Sequence, residues 1–417
     1  MSILKKTAAV LSAVMISATL FGCADTSYVM KVDDSDVNAG VYLNYASTEL
    51  QTQISTLQQS GVKSDYLSQK VDGKDLTKLV EEEALKETKE YAAINQQFDK
   101  AKLKIDSEEL KQINSDLADN WENAQKYYET QGISKDTVKN IQLNSIKRSM
   151  LFDYYYAKDG KEAVSDTDMT NYVNDNYLRY KVISIQKSSD SSTESETDSS
   201  SADDSSKVDE EAKKLYEEYL AKAKKTDFAG FDDLIEEYNA YVSAKQEAES
   251  SESDDTAADT TAENEGTDTA DQENAAADET TATSTDASSE TADPYENEQM
   301  SNFLDITDDQ KDTTYGKVLT KIKSMKTNEV GSFEDENCYY IYIKGDVTKR
   351  TAEYIKDDTN HSTLLQEMKG DEFQSKIDGW VKNLKLDLND KAFERYTVKE
   401  IYEKQQKASE STADTTN

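Results

Sequence analysis

The sharpest change of hydrophobic pattern along the chain falls in Val164–Gln186. Ser165-Asp166-Thr167-Asp168 has the form of a capping box, and Met169, Tyr172, Val173 and Tyr177 follow at helical spacing. At Arg179 the period becomes two, with Ile183 and Ile185 on one face and Tyr180, Val182 and Ser184 on the other. Before this stretch the pattern predicts a short strand at Tyr28–Val32 and then helices. Residues 36–58 carry Leu43, Ala46, Leu50, Ile54 and Leu57 as a stripe; residues 74–103 carry Val80, Ala84, Tyr91, Ile94 and Phe98. Residues 107–129, capped by Asp106, carry Leu110, Ile113, Leu117, Trp121 and Ala124. A fourth helix starts at Ser134 and aligns Leu143, Ile146, Met150 and Tyr154. These stripes read as core. The single proline is Pro294, so nothing in this block must break a helix.

Beyond the change of period, helices are predicted at 208–224, 228–243 and 314–326. A short strand or turn is expected at 328–333. Cys338–Ile343 is a strong strand, with Ile341 and Ile343 on one face and Tyr340 and Tyr342 on the other. A helix is predicted through 351–386, with Phe373, Ile377, Trp380 and Leu384 spaced 4, 3, 4. The fold class is therefore α+β, mostly α.

Composition changes this picture in two places. Charged residues make up 32% of the 417 and the formal net charge is −37; mean hydropathy is −0.86. No Lys or Arg occurs in Ser188–Ser206, or between Lys245 and Lys311, and both stretches are rich in Ser, Thr, Asp and Glu. They lack the apolar residues needed to offset ordering entropy, so disordered inserts are expected at about 187–207 and 244–300, with a polar tail at 405–417. The charge excludes nucleic acid as a partner.

The N-terminus carries an address. Lys5-Lys6 precedes an apolar run, Thr7–Phe21, too short to span a bilayer comfortably, and the run ends in Leu20-Phe21-Gly22-Cys23. This resembles a bacterial lipobox, with 1–22 as signal peptide. It implies lipidation at Cys23 and an anchor on the extracytoplasmic face of the cell membrane. Cys338 is then left without a disulfide partner. His361 is the one histidine, and it cannot build a metal site or a catalytic triad alone. No cofactor and no metal are expected.

The order of parts resembles the PrsA-like foldases and the chaperone SurA, in which a parvulin-type prolyl isomerase domain is inserted into a helical chaperone domain formed by both chain ends. Val164–Met169 followed by Tyr172 looks like the lead-in helix, and Arg179–Ile185 like the first strand. Ala212–Lys225 with Asp227-Phe228-Ala229 looks like the first helix and its turn. Asn328-Glu329-Val330 and Cys338–Lys344 look like the last turn and strand. The resemblance implies a linker and strand at 23–35, a SurA-like helical domain at 36–178 completed by a helix at 351–404, and a small parvulin-like α/β domain at 179–350. Parvulins place two cleft histidines; aligned here, they fall on Val182 and Tyr340. The family's Met and Phe wall falls on Met300 and Phe303, with Tyr315 a competing match. The candidate cleft is Tyr340, Tyr342, Met300, Phe303 and Tyr315, although both tyrosines of the strand read equally as ordinary, partly buried residues.

Isomerisation has an uncatalysed barrier of ~18–20 kcal/mol. Catalysis needs an apolar proline pocket, desolvation and hydrogen bonds to the twisted amide, but no nucleophile. The function implied is a lipid-anchored folding factor for unfolded or nascent secreted proteins, with weak or no isomerase activity. Alternatives are an active isomerase, or a surface lipoprotein binding a solute or an envelope partner.

Overall fold

The computed structural model describes residues 27–33, 35–187, 202–252, 295–304, 306–307 and 310–413. Cys23 with its lipobox, most of the two expected inserts, and residues 414–417 lie outside the described residues. In chain order the elements are β1 (Tyr28–Val32), β2 (Ser35–Asn38), α1 (Ala39–Gln59), β3 (Lys70–Val71), β4 (Lys74–Asp75), α2 (Leu76–Ala101), α3 (Ser107–Gln131), α4 (Lys135–Tyr156), α5 (Asp166–Asn176) and β5 (Tyr177–Gln186). There follow α6 (Ala202–Ala223), α7 (Phe231–Glu252), β6 (Gln299–Asn302), α8 (Thr314–Ser324), β7 (Val330–Glu334), β8 (Cys338–Lys344), α9 (Thr348–Tyr354), α10 (Asp358–Lys382), β9 (Leu386–Leu388), α11 (Asp390–Arg395) and α12 (Val398–Ala413). The protein is α+β and mostly helical.

The chain divides into two compact units, one made of Met1–Val164 with Leu365–Asn417 and the other of Ser165–Leu364. In the first, both ends of the chain meet in one antiparallel sheet of order β2-β1-β9, where Met30 stands opposite Leu388. The apolar stripe of α1 (Leu43, Ala46, Leu50, Leu57) joins Val80 and Ala84 of α2, Leu117 and Trp121 of α3, and Val398 and Ile401 of α12 in one core. A buried polar link ties three helices together. The Ser47 hydroxyl of α1 donates to the Gln131 side chain of α3, and Gln405 of α12 donates to the Ser47 carbonyl at 2.9 Å. Gly132 ends α3 at φ +86, a conformation that favours glycine. The Phe373 ring of α10 meets the Phe152 ring of α4 edge-on at 5.3 Å.

In the second unit the sheet order is β6-β5-β8-β7, all antiparallel, with β5 paired along β8 from Tyr180–Lys344 to Gln186–Cys338. Ser165 caps α5, accepting the Asp168 amide at 3.1 Å. One face of the sheet (Ile183, Ile185, Tyr339, Ile341, Ile343) packs on Ala212, Tyr219 and Ala223 of α6 and on Phe231 and Ile235 of α7. The other face packs on Val318, Leu319 and Ile322 of α8.

Several expectations need correction. The helix expected through 351–386 is broken. α9 stops at Tyr354, and the Asp357 carboxylate accepts the Asn360 amide at 2.9 Å to start α10, as an N-cap does. Leu384 is buried but lies past the end of that helix. The tail expected from 405 is helical as far as Ala413, with Gln405 and Ala408 buried. The insert edges shift because helix, once nucleated, propagates cheaply, and the stretch added to α7, 244–252, is rich in Ala and Glu. α6 begins at Ala202, and α7 runs to Glu252. The buried side of α4 is Val138, Asn144, Leu151, Phe152 and Tyr156, rather than the Leu143-Ile146-Met150-Tyr154 row. Asn144 faces α2 because it donates to the Tyr91 carbonyl at 2.9 Å. The unit boundary falls at Ser165 and Leu364, not 179 and 350. α5 packs on α9, and the Thr351 hydroxyl donates to Asn174 at 2.6 Å.

Candidate functional site

The alternation in β5 and β8 decides what shares a face. Even-numbered residues of both strands point toward α8, so Val182 stands opposite Tyr342, and Ser184 opposite Tyr340. β7 adds Gly331 opposite Tyr342 and Phe333 opposite Tyr340. Val182, Phe333, Tyr340 and Tyr342 join Leu178, Tyr180, Phe303, Ile306 and Met325 in one apolar cluster under α8. Thr313 starts that helix by accepting the Gly316 amide at 3.2 Å, which fixes where Thr314 and Tyr315 begin.

The face offers one half-buried phenol at its rim. The Tyr340 hydroxyl donates to Asp335 Oδ2 at 3.3 Å. Asp335, in the β7–β8 turn, also accepts the Thr314 hydroxyl at 2.6 Å and the amides of Cys338 and Asn337 at 2.7 and 2.9 Å. Burial works to raise the Asp335 carboxyl. The hydrogen bonds from Thr314, Cys338, Asn337 and Tyr340 outweigh it and hold the group below its usual range. Burial, then the Cys338 thiol and the Asp335 carboxylate, push the Tyr340 phenol well above its ordinary value. At neutral pH Tyr340 is a neutral donor and cannot act as a base.

The five candidate cleft residues do not form one site. Tyr340, Tyr342 and Phe303 share the α8 face. Tyr342 is only 1% exposed and its hydroxyl is spent on the Ser332 carbonyl at 3.2 Å, so it is core. Lys323 Nζ sits 3.5 Å above the Phe303 ring and Lys321 Nζ 4.8 Å above that of Phe333, so both rings already carry a cation. Tyr315, at the start of α8, is 51% exposed. Met300 lies in another cluster, with Val173, Tyr177 and Leu364. It lines a separate cavity of about 360 Å³ with Tyr295, Arg350 and Tyr354. His361 is in the first turn of α10, off the sheet.

The sequence reading missed Asp335, Thr314 and Phe333. The signal for Asp335 was present, since Asp335-Glu336-Asn337 between two strands is turn chemistry in which a carboxylate caps the amides that follow. A larger groove, about 550 Å³, was also missed. It runs along the end of β5, lined by Ser184–Lys187, Leu215 of α6, Tyr238 and Val242 of α7, and Cys338.

No protein-family model matches the chain, and no curated protein matches it significantly in sequence. Among the described residues no helix is long and apolar enough to cross a membrane.

Proposed function

We propose that this chain is a lipid-anchored, extracytoplasmic folding factor of the PrsA/SurA-like type, which holds unfolded or nascent secreted proteins and has weak or no prolyl isomerase activity. The observation that carries the reading is the discontinuous construction. Both chain ends build one helical unit, joined through β1 and β9, while the middle of the chain forms a separate four-stranded unit. The resemblance in sequence implies that same plan, with 179–350 as a degenerate parvulin-like domain in a SurA-like helical body. The low catalytic expectation rests on Val182 and Tyr340. Neither can exchange a proton near neutrality, and the phenol that could donate to a twisted amide is already bonded to Asp335.

The test is suppression of aggregation. The full chain, added in stoichiometric amount to a chemically unfolded secreted protein on dilution, is expected to reduce light scattering. Unchanged scattering, with the chain itself folded, would count against a folding factor and for a lipoprotein that binds a solute or an envelope partner.

A further inference from the structure

Past Tyr180, one edge of the second unit's sheet carries no strand among the described residues. β6 pairs only with Tyr177–Tyr180 of β5, so the remainder, 181–186, has β8 on one side and no strand on the other among the described residues. Bonds at the strand ends set which groups face that side. Lys187 donates to Asn337, Arg179 accepts from Gly345, and Phe303 donates to the carbonyl of Asn176. Odd-numbered backbone groups of β5 therefore turn to β8, and those of Val182, Ser184 and Gln186 turn to the open edge. β6 stops at Gln299, where the chain turns away, with Arg179 held by Glu298 and the Asn297 side chain donating to Asp232 at 3.3 Å.

Natural edges are blunted by proline, a bulge, or a charge on or under the edge. Residues 182–186 read Val-Ile-Ser-Ile-Gln, with no proline, no charge and no bulge against β8; the one inward charge, Lys181, lies at the start of the edge and is paired with Asp232. The 550 Å³ groove lies alongside, with Ile185, Leu215 and Val242 as apolar lining. The Tyr238 hydroxyl donates to the Ser184 carbonyl at 2.9 Å, in the place a neighbouring strand's amide would take.

We infer that this edge binds an extended polypeptide segment by strand addition, taking apolar side chains at alternate positions into the groove and Lys or Arg at its flanks. The basic flanks follow from charge. The chain carries a formal net charge of −37, and the two lysines that line the groove, Lys187 and Lys245, are already paired with Glu334 and Glu211. A second copy, with its own net charge of −37, is repelled from the same place. This deepens the proposed function by naming where an unfolded client is held, and it rests on that reading.

The probe is the peptide Lys-Lys-Val-Thr-Val-Tyr-Val-Lys-Lys, with a twin N-methylated at all five central residues, added to the full chain. Hydrogen exchange is expected to slow at the Val182, Ser184 and Gln186 amides with the peptide and not with the twin. Ser184→Pro removes an outward N–H without touching the β8 ladder and is expected to weaken binding about tenfold. Val242→Glu, on the helical wall, is expected to do the same if the proline disturbs the strand. Protection at these amides without suppression of client aggregation would uphold the edge and overturn the folding-factor reading. Suppression without peptide binding, or with protection only on the Tyr340 face, would overturn the edge alone. Protection already complete in the free chain would also overturn it, assigning the edge to a second copy if it grows with concentration and to the chain's own sequence if it does not.

Discussion

The ring of Tyr342 lies across Gly331, its cross-strand partner, and a Cβ on that glycine would stand 2.9 Å from Tyr342 Cζ and 3.1 Å from Met325 Sδ. The ring cannot swing away, because it is buried and its hydroxyl is bonded to the Ser332 carbonyl. Gly331→Ala is expected to destabilise the second unit by about 1–3 kcal/mol through overpacking. Gly379 is the contrast, since among the described residues nothing lies within 4 Å of its Cβ position and it sits inside α10. Gly379→Ala is expected to stabilise by about 0.5–1 kcal/mol. Thermal unfolding of the two variants should shift in opposite directions.

Asp335 predicts a pH dependence. Its carboxyl is held below the ordinary aspartate value in the folded chain: burial pulls it up, and the bonds from Thr314, Cys338, Asn337 and Tyr340 pull it down further. The folded state thus binds the proton less readily than the unfolded one. The stabilisation is fully present above the unfolded value, near 3.8, and is lost as pH falls through the folded value. Protection of the Asn337 and Cys338 amides, taken relative to the intrinsic exchange rate at each pH, should fall below about pH 4. Asp335→Asn should show faster exchange at neutral pH and less change on acidification.

Lys181 and Asp232 form an asymmetric pair. The ammonium is 2% exposed and bonds Asp232 Oδ2 at 2.5 Å and the Phe228 carbonyl at 3.0 Å, whereas the carboxylate is 36% exposed. Removing the carboxylate strands a buried charge, and removing the lysine leaves a carboxylate that water can reach. Asp232→Ala is expected to cost about 3 kcal/mol and Lys181→Met about 1 kcal/mol, by urea unfolding. Equal losses would show that water reaches the ammonium.

How much was legible follows from where apolar residues repeat. β5 and β8 were readable because their alternation is strict, and the β5–β8 pairing carries that alternation into two packed faces. α12 was not readable. Its buried positions are Val398, Ile401, Gln405 and Ala408, spaced 3, 4, 3, and a glutamine and an alanine hide the stripe. Gln405 is inside because the Ser47 carbonyl satisfies it, a partner 358 residues away that no local pattern discloses. The Met300–Phe303 wall failed for a geometric reason. Residues three apart around a strand end fall on opposite faces, and the two belong to different clusters.

Cys23 lies outside the described residues, and its prediction stands on sequence. If Gly22-Cys23 is the end of a lipobox, acylation supplies the anchor, because a single apolar run of Thr7–Phe21 length does not remain as a span after cleavage. Cys23→Ala is expected to move the protein from the membrane fraction to the soluble extracytoplasmic fraction. Continued tight retention would argue against lipidation.

The uncatalysed barrier to isomerisation, ~18–20 kcal/mol, is set by amide resonance, and a catalyst lowers it by favouring the twisted amide. Three groups on the α8 face could contribute. Val182 offers only apolar surface. Tyr342 is buried and committed to the Ser332 carbonyl. Tyr340 can donate, but its hydrogen bond is already accepted by Asp335. A proline-containing peptide should therefore isomerise with the full chain at close to the solvent rate, read by proline-dependent cleavage or by exchange NMR. Asp335→Ala frees the Tyr340 hydroxyl and is expected to raise the rate slightly if that face touches the peptide. A wild-type rate far above solvent would overturn the weak-isomerase reading, and its loss in Tyr340→Phe would locate the chemistry at that phenol.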